Sequence, residues 1–192
     1  MREFKNSFSD KISEIIYNNE REVKIFSYGE TRFGLITSLG KRITIRGVRP
    51  VGLIQRTFEN YYIYGAADVL NGESFFIEFS NMNTDCFQCF IDKFSEYFKD
   101  SINIMLIDSA GIHKAKKLII PENIRLLFLP SYSPELNPIE RFWQYIKQDI
   151  KGKIFSGLPE MKDWVADILK KCSQKITASL TGFSYILDAV NI

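Results

Sequence analysis

Phe4, Phe8, Ile12, Ile15 and Ile16 recur at the spacing of one helical face, which predicts a first helix over residues 4–18. Val23 to Tyr28 then reads as a short strand, with glycines following at 29 and 34. The β-rich runs Tyr61 to Val69 and Ser74 to Phe79 flank Asn71-Gly72, a dipeptide that favours a tight turn, so they are expected as adjacent antiparallel strands. Between Asn83 and Phe98 the apolar positions Phe87, Phe90, Ile91, Phe94, Tyr97 and Phe98 keep a helical period and predict a core-facing helix. The run Ile102 to Ile107 predicts a buried strand that closes at Asp108. Residues His113 to Leu118 are expected as a short helix, Ile124 to Leu129 as a strand, and Asn137 to Ile150 as a long helix with Ile139, Phe142, Trp143, Ile146 and Ile150 on one face. Met161, Trp164, Val165, Ile168, Leu169 and Cys172 define one more helix.

The order is helix, three strands with an inserted basic segment, helix, strand, helix, strand, helix, helix. A mixed sheet covered by helices, an α/β fold, accommodates it. The chain has 192 residues, 45% of them hydrophobic, enough for one sizeable core and a single domain over 1–192, with 151–192 as C-terminal helices. No apolar run approaches the roughly 18 residues that a membrane-spanning helix needs. Three cysteines cannot all pair with one another and no secretory signal opens the chain, so a reducing, cytoplasmic setting is expected. Cys86 and Cys89 form a C-x-x-C inside a helical pattern, and only Cys172 and the single His113 remain to complete a zinc site, which argues against zinc or redox chemistry.

A net charge of +2 decides nothing about nucleic acid, but its distribution is uneven. From Thr31 to Phe58 there is no Asp or Glu, while Arg32, Lys41, Arg42, Arg46, Arg49 and Arg56 supply cations to one segment. Together with Lys114 and Lys117 these fit either a solvated surface or contacts to phosphate. Asp108 at a strand end and Glu140 at a helix start are placed to hold Mg²⁺ through hard oxygen ligands. Two ions about 3.5–4 Å apart would clamp both oxygens of an in-line phosphoryl displacement. The spacing fits a structural reading equally: Asn137 as N-cap, Pro138 at the first helical position and Glu140 two residues later resemble a capping box. For Asp108 the structural alternative is a turn-opening residue.

The segments Leu106-Ile107-Asp108-Ser109-Ala110-Gly111-Ile112-His113-Lys114 and Tyr132-Ser133-Pro134-Glu135-Leu136-Asn137-Pro138-Ile139-Glu140-Arg141-Phe142-Trp143 together resemble the DDE-superfamily transposases, in particular bacterial insertion-sequence enzymes related to mariner. Ser109 stands where the family commonly has Asn, while Asp108 and His113 are kept. Upstream, Tyr28-Gly29-Glu30-Thr31-Arg32-Phe33-Gly34-Leu35 resembles the family's D-E-x-R-F-G-L motif. The resemblance covers roughly residues 4–150 and implies an RNase H-like mixed sheet, two Mg²⁺ or Mn²⁺ ions, and cleavage and joining of DNA strands with Asp108 and Glu140 as metal ligands.

At the first acid position this sequence has Gly29, which offers no ligand. Glu30 is adjacent, but neighbouring side chains on a strand face opposite ways, so it takes the catalytic role only if a bulge turns it round. The resemblance therefore implies impaired catalysis. Two rival readings are a non-catalytic remnant that binds DNA or another transposase subunit, and a structure-selective nuclease on the same fold. Family members carry N-terminal helix-turn-helix modules, whereas only about 22 residues precede the first strand here. That implies a catalytic half: the second product of a split frame, a remnant or a trimmed piece. The expected partners are double-stranded DNA and either a second copy or a chain carrying the helix-turn-helix, in a bacterial, nucleoid-associated setting.

Overall fold

Every residue of Ile102–Ile107 is buried. A strand with no exposed side must lie inside a sheet covered on both faces, and the rest of the architecture follows from that requirement. The computed structural model describes residues 2–36, 45–47, 54–131 and 133–190. Helix α1 (Arg2–Tyr17) leads into β1 (Val23–Gly34), then β2 (Asn60–Asp68), β3 (Ser74–Phe79), α2 (Thr84–Tyr97), β4 (Ile102–Ile107) and β5 (Ile124–Phe128). Four helices follow: α3 (Ile139–Ile150), α4 (Leu158–Lys171), α5 (Gln174–Thr181) and α6 (Ser184–Val190).

The strands lie in the order β3-β2-β1-β4-β5, with β1–β2 and β2–β3 antiparallel and β1–β4 and β4–β5 parallel. This is the mixed, helix-flanked sheet that the periodicity predicts. Alternation along β1 divides its side chains between two layers. Phe26 and Tyr28 point into the core beneath α2, among Phe87, Phe90 and Phe94. Phe26 meets Phe94 edge-on at 4.8 Å, a geometry that adds about 0.5–1.5 kcal/mol to simple burial. On the opposite face Ile25 joins α1 and α6 through Phe8, Ile12 and Ile186. Further along that face Phe33 packs with Phe142, Trp143 and Ile146 of α3 and Val165 of α4.

Several boundaries differ from expectation. β1 does not stop at Tyr28 but continues to Gly34, because β2 supplies partners through Gly34 opposite Asn60. Residues 113–118 do not form a helix; one 3₁₀ turn spans Gly111–His113 instead, with His113 pulled into the core. The β2–β3 hairpin has Gly72 at φ +74°, and the Asp68 carboxylate closes it by accepting the Leu70 and Asn71 N–H groups. No described helix is long and apolar enough to cross a membrane.

Candidate active site

β1 and β4 run parallel with Ser27 opposite Leu106, so the residues that follow emerge side by side. Asp108 leaves β4 and opens a turn, its Oδ1 accepting the Ala110 N–H at 2.9 Å. Glu140 sits on the first turn of α3. The two acids line one cavity of about 390 Å³, together with Ser109, Pro134 and Asn137. Burial pushes the Glu140 carboxyl above its ordinary value; Lys147 opposes this, and the charges of Asp108 and Glu30 add to it.

The start of α3 is not a capping box. Pro138 holds the cap position and no side chain of the helix caps it. Asn137 instead reaches across to β1: its Oδ1 accepts the Ser27 hydroxyl at 2.6 Å and its Nδ2 donates to the Tyr28 carbonyl at 2.9 Å. Ser27 Oγ in turn accepts the Ile139 N–H at 2.8 Å, satisfying one of the free donors at the helix start. This buried clamp ties the segment carrying Glu140 to β1. Ser27 had no signal in the sequence, because its partners lie some 110 residues away.

Gly29 faces the same helix and pairs with Gly65 across the β1–β2 ladder. A Cβ at position 29 would stand 2.8 Å from Ile139 Cγ2, and one at position 65 would stand 2.7 Å from the Trp143 ring. The two glycines thus leave a bare strip of sheet on which Ile139 and Trp143 seat. Among the described residues the buried Trp143 Nε1 has no hydrogen-bond partner, and it lies 3.7 Å from where the Cβ at position 29 would be.

The β1–β2 ladder keeps one register from Phe26 to Gly34, so no bulge reorients Glu30. Its side chain lies on the face opposite Gly29. There Glu30 Oε1 accepts the Tyr28 hydroxyl at 2.7 Å and meets His113 Nε2 at 2.8 Å. His113 Nδ1 lies 2.8 Å from Asp108 Oδ1. The imidazole is 1% exposed and packs between Tyr28 and Phe87. Burial alone would lower its pKa, but the bonds to Asp108 and Glu30 outweigh burial and raise it from 6.5 to about 9. The same bond to His113 holds the Asp108 carboxyl below the usual carboxylate range. Both carboxylates thus favour the protonated ring.

Asp108 and Glu140 offer hard oxygen donors suited to a divalent cation. Among the described residues no group of three or more His, Cys, Asp or Glu could hold a metal. Asp108 and Glu140 are the two carboxylates that line the cavity. Cys86, Cys89 and Cys172 are free thiols.

The candidate DNA-binding residues divide. Arg32 lines a second cavity of about 250 Å³ with Lys147 and Lys153, and among the described residues no acid lines it. Sequence reading did not select either lysine. Lys114 lies 5.0 Å over the Phe128 ring, Lys117 pairs with Asp85, and neither lines the two cavities. Arg46 is exposed. Lys41, Arg42 and Arg49 lie outside the described residues.

The profile of a family described as DDE superfamily endonuclease matches residues 25–179. A protein of Sinorhizobium fredii (strain NBRC 101917 / NGR234), the uncharacterized protein y4pE/y4sA, is 33% identical over 102 residues, covering 52% of this chain and 76% of that protein. Among solved structures, a pre-cleavage Mos1 transpososome aligns over 97% of this chain and 60% of its own with a TM-score of 0.71 and 13% identity. A Mos1 transposase paired-end complex with the left transposon end aligns over 92% of this chain with a TM-score of 0.67 and 14% identity. The chain spans 56% of the length of that transposase. At such identities the likeness establishes the fold.

Proposed function

Because this chain belongs to the DDE superfamily of endonucleases and carries an RNase H-like fold, we propose that it is a transposase catalytic domain for metal-dependent DNA strand cleavage and joining, weakened by Gly29 at the first acid position. The observation that carries this reading is the convergence of Asp108 and Glu140 on one cavity. These residues would hold Mg²⁺ or Mn²⁺, which when bound polarises a phosphoryl oxygen and lowers the pKa of coordinated water. The chain's own contribution is placement. The Ser27–Asn137 clamp sets the height of Glu140 on the sheet, and the turn at Ala110 sets Asp108. Crowding of negative charge around Glu140 favours a divalent cation over an empty site. Arg32, Lys147 and Lys153 line a basic cavity suited to the backbone phosphates of double-stranded DNA.

The test is nicking of supercoiled DNA in Mn²⁺ by the wild-type chain and Glu140→Gln. Slow nicking should fall about a hundredfold or more in the variant, the rate equivalent of losing several kcal/mol of charge stabilisation. Equal nicking by both would remove Glu140 from the chemistry. The seating of Ile139 against Gly29 favours a second reading, a DNA-binding remnant without catalysis. Wild-type protein that binds DNA but never nicks it would select that reading.

A further inference from the structure

Glu30 stands beside the position where the first acid is missing, and its carboxylate already has two occupants, the Tyr28 hydroxyl and the His113 ring. We propose that Glu30 and His113 act as a positioning strut for Asp108, with Glu30 working through the imidazole and not as a metal ligand. This rests on the reading of Asp108 as a ligand given above.

Four observations carry it. First, the unbroken β1–β2 register places Glu30 on the face away from α3, and Glu30 does not line the cavity that Asp108 and Glu140 share. Second, the contacts form a chain: Tyr28 Oη to Glu30 Oε1 at 2.7 Å, Glu30 Oε1 to His113 Nε2 at 2.8 Å, His113 Nδ1 to Asp108 Oδ1 at 2.8 Å. Third, the ring is fixed sideways by Tyr28 at 5.7 Å and Phe87 at 4.7 Å between centroids, so it transmits position as a rigid spacer. Fourth, Asp108 Oδ1 takes both the ring and the Ala110 N–H, while among the described residues Oδ2 has no hydrogen bond. One oxygen is held by the protein and the other is left to a ligand. Outer groups that orient a ligating side chain in this way are worth roughly 10–100-fold in metal affinity. Asp108 is 59% exposed at its side chain and follows the last residue of its strand, so without the ring, among the described residues, only the Ala110 bond would fix its rotamer.

His113 is the single histidine of the chain, so ¹⁵N-labelled full-length protein gives one set of ring nitrogen signals without assignment. The experiment records those signals, and Mn²⁺ affinity by calorimetry, for wild type, Glu30→Gln, Glu30→Ala, His113→Gln, Asp108→Asn and Glu140→Gln. The strut predicts that Glu30→Ala and Asp108→Asn both move the ring signals of the metal-free protein. It also predicts that Glu30→Ala and His113→Gln weaken Mn²⁺ about tenfold. Glu30→Gln, whose amide oxygen still accepts from Tyr28 and the ring, should retain most of the affinity. Two affinity results would overturn the proposal: Glu30→Gln as damaging as Asp108→Asn makes Glu30 a ligand, and Glu30→Ala without effect makes it irrelevant. Ring signals indifferent to both partners would overturn the strut whatever the metal does. If Mn²⁺ binding proves independent of Asp108 and Glu140 while the ring still answers to Glu30 and Asp108, the metal reading fails and the strut stands.

Discussion

At the residue scale, Gly29 is more than a missing carboxylate, because its neighbourhood has a shape of its own. Ile139 is branched at Cβ and stiff, so its Cγ2 cannot retreat cheaply from the 2.8 Å approach that any side chain at position 29 would impose. Gly29→Asp alone should therefore destabilise the protein by about 1–3 kcal/mol, the usual cost of overpacking, instead of simply rebuilding a ligand. Some of that cost returns if the new carboxylate accepts from Trp143 Nε1, which has no partner among the described residues. Ile139→Ala opens the space, so a double-mutant cycle by urea denaturation should show Gly29→Asp costing less in the Ile139→Ala background. Additive costs would mean that the contact is unimportant. His113 makes a separate prediction about pH. Its folded pKa, about 9, lies above the ordinary 6.5, so the folded state holds the extra proton between those values. The stability it confers is complete below about pH 6.5 and is lost as pH rises through about 9. Melting temperatures of metal-free wild type and His113→Gln should therefore draw together as pH rises from 6 to 10. A gap that widens over that range would show that the ring is neutral in the fold.

At the scale of elements, α3 shows how local and distant information divide the site. Its apolar stripe, Ile139, Phe142, Trp143 and Ile146, is periodic in the sequence and is buried in the structure. The same window suggested a self-contained cap from Asn137 and Glu140, yet the cap hydrogen bond comes from Ser27. Nothing near residue 27 announces this, since an isolated serine in an apolar run reads as a strand residue facing either way. Ser27→Ala removes the acceptor for Ile139 N–H and the donor to Asn137 Oδ1 in one step. A loss of about 1–3 kcal/mol is expected from leaving such buried groups unpaired, measurable by chemical denaturation. The succession of strands and helices along the chain was legible because β4 is uniformly apolar and α2 is periodic, whereas the order of the strands in the sheet was not. The extension of β1 past Tyr28 was not, because its glycines signal a break unless the facing strand is known. That Asp108 and Glu140 would line one cavity was legible from motif order. The bonding of Glu30 to His113 depends on strand parity and a 3₁₀ turn that no local pattern fixes.

At the scale of the whole molecule, the sheet brings early and late chain segments together: β1 lies between β2 and β4, and α1 packs with α6 at the far end of the sequence. The basic cavity is assembled in the same way, Arg32 coming from β1 and Lys147 and Lys153 from α3 and the stretch after it. The clamp between Ser27 and Asn137 also carries a kinetic meaning. A bond spanning 110 residues forms only after a large loop has closed, and a clamp at the start of α3, outside the strand pairings, is expected to close after the transition state. Interactions made after the transition state leave the folding rate nearly untouched when removed and appear almost wholly as faster unfolding. Ser27→Ala should thus steepen the escape from the native state while refolding keeps its pace, a separation that stopped-flow chevrons resolve directly. The last contact to form would then be the first to let go, and opening at the start of α3 would separate Glu140 from Asp108 before the sheet itself comes apart.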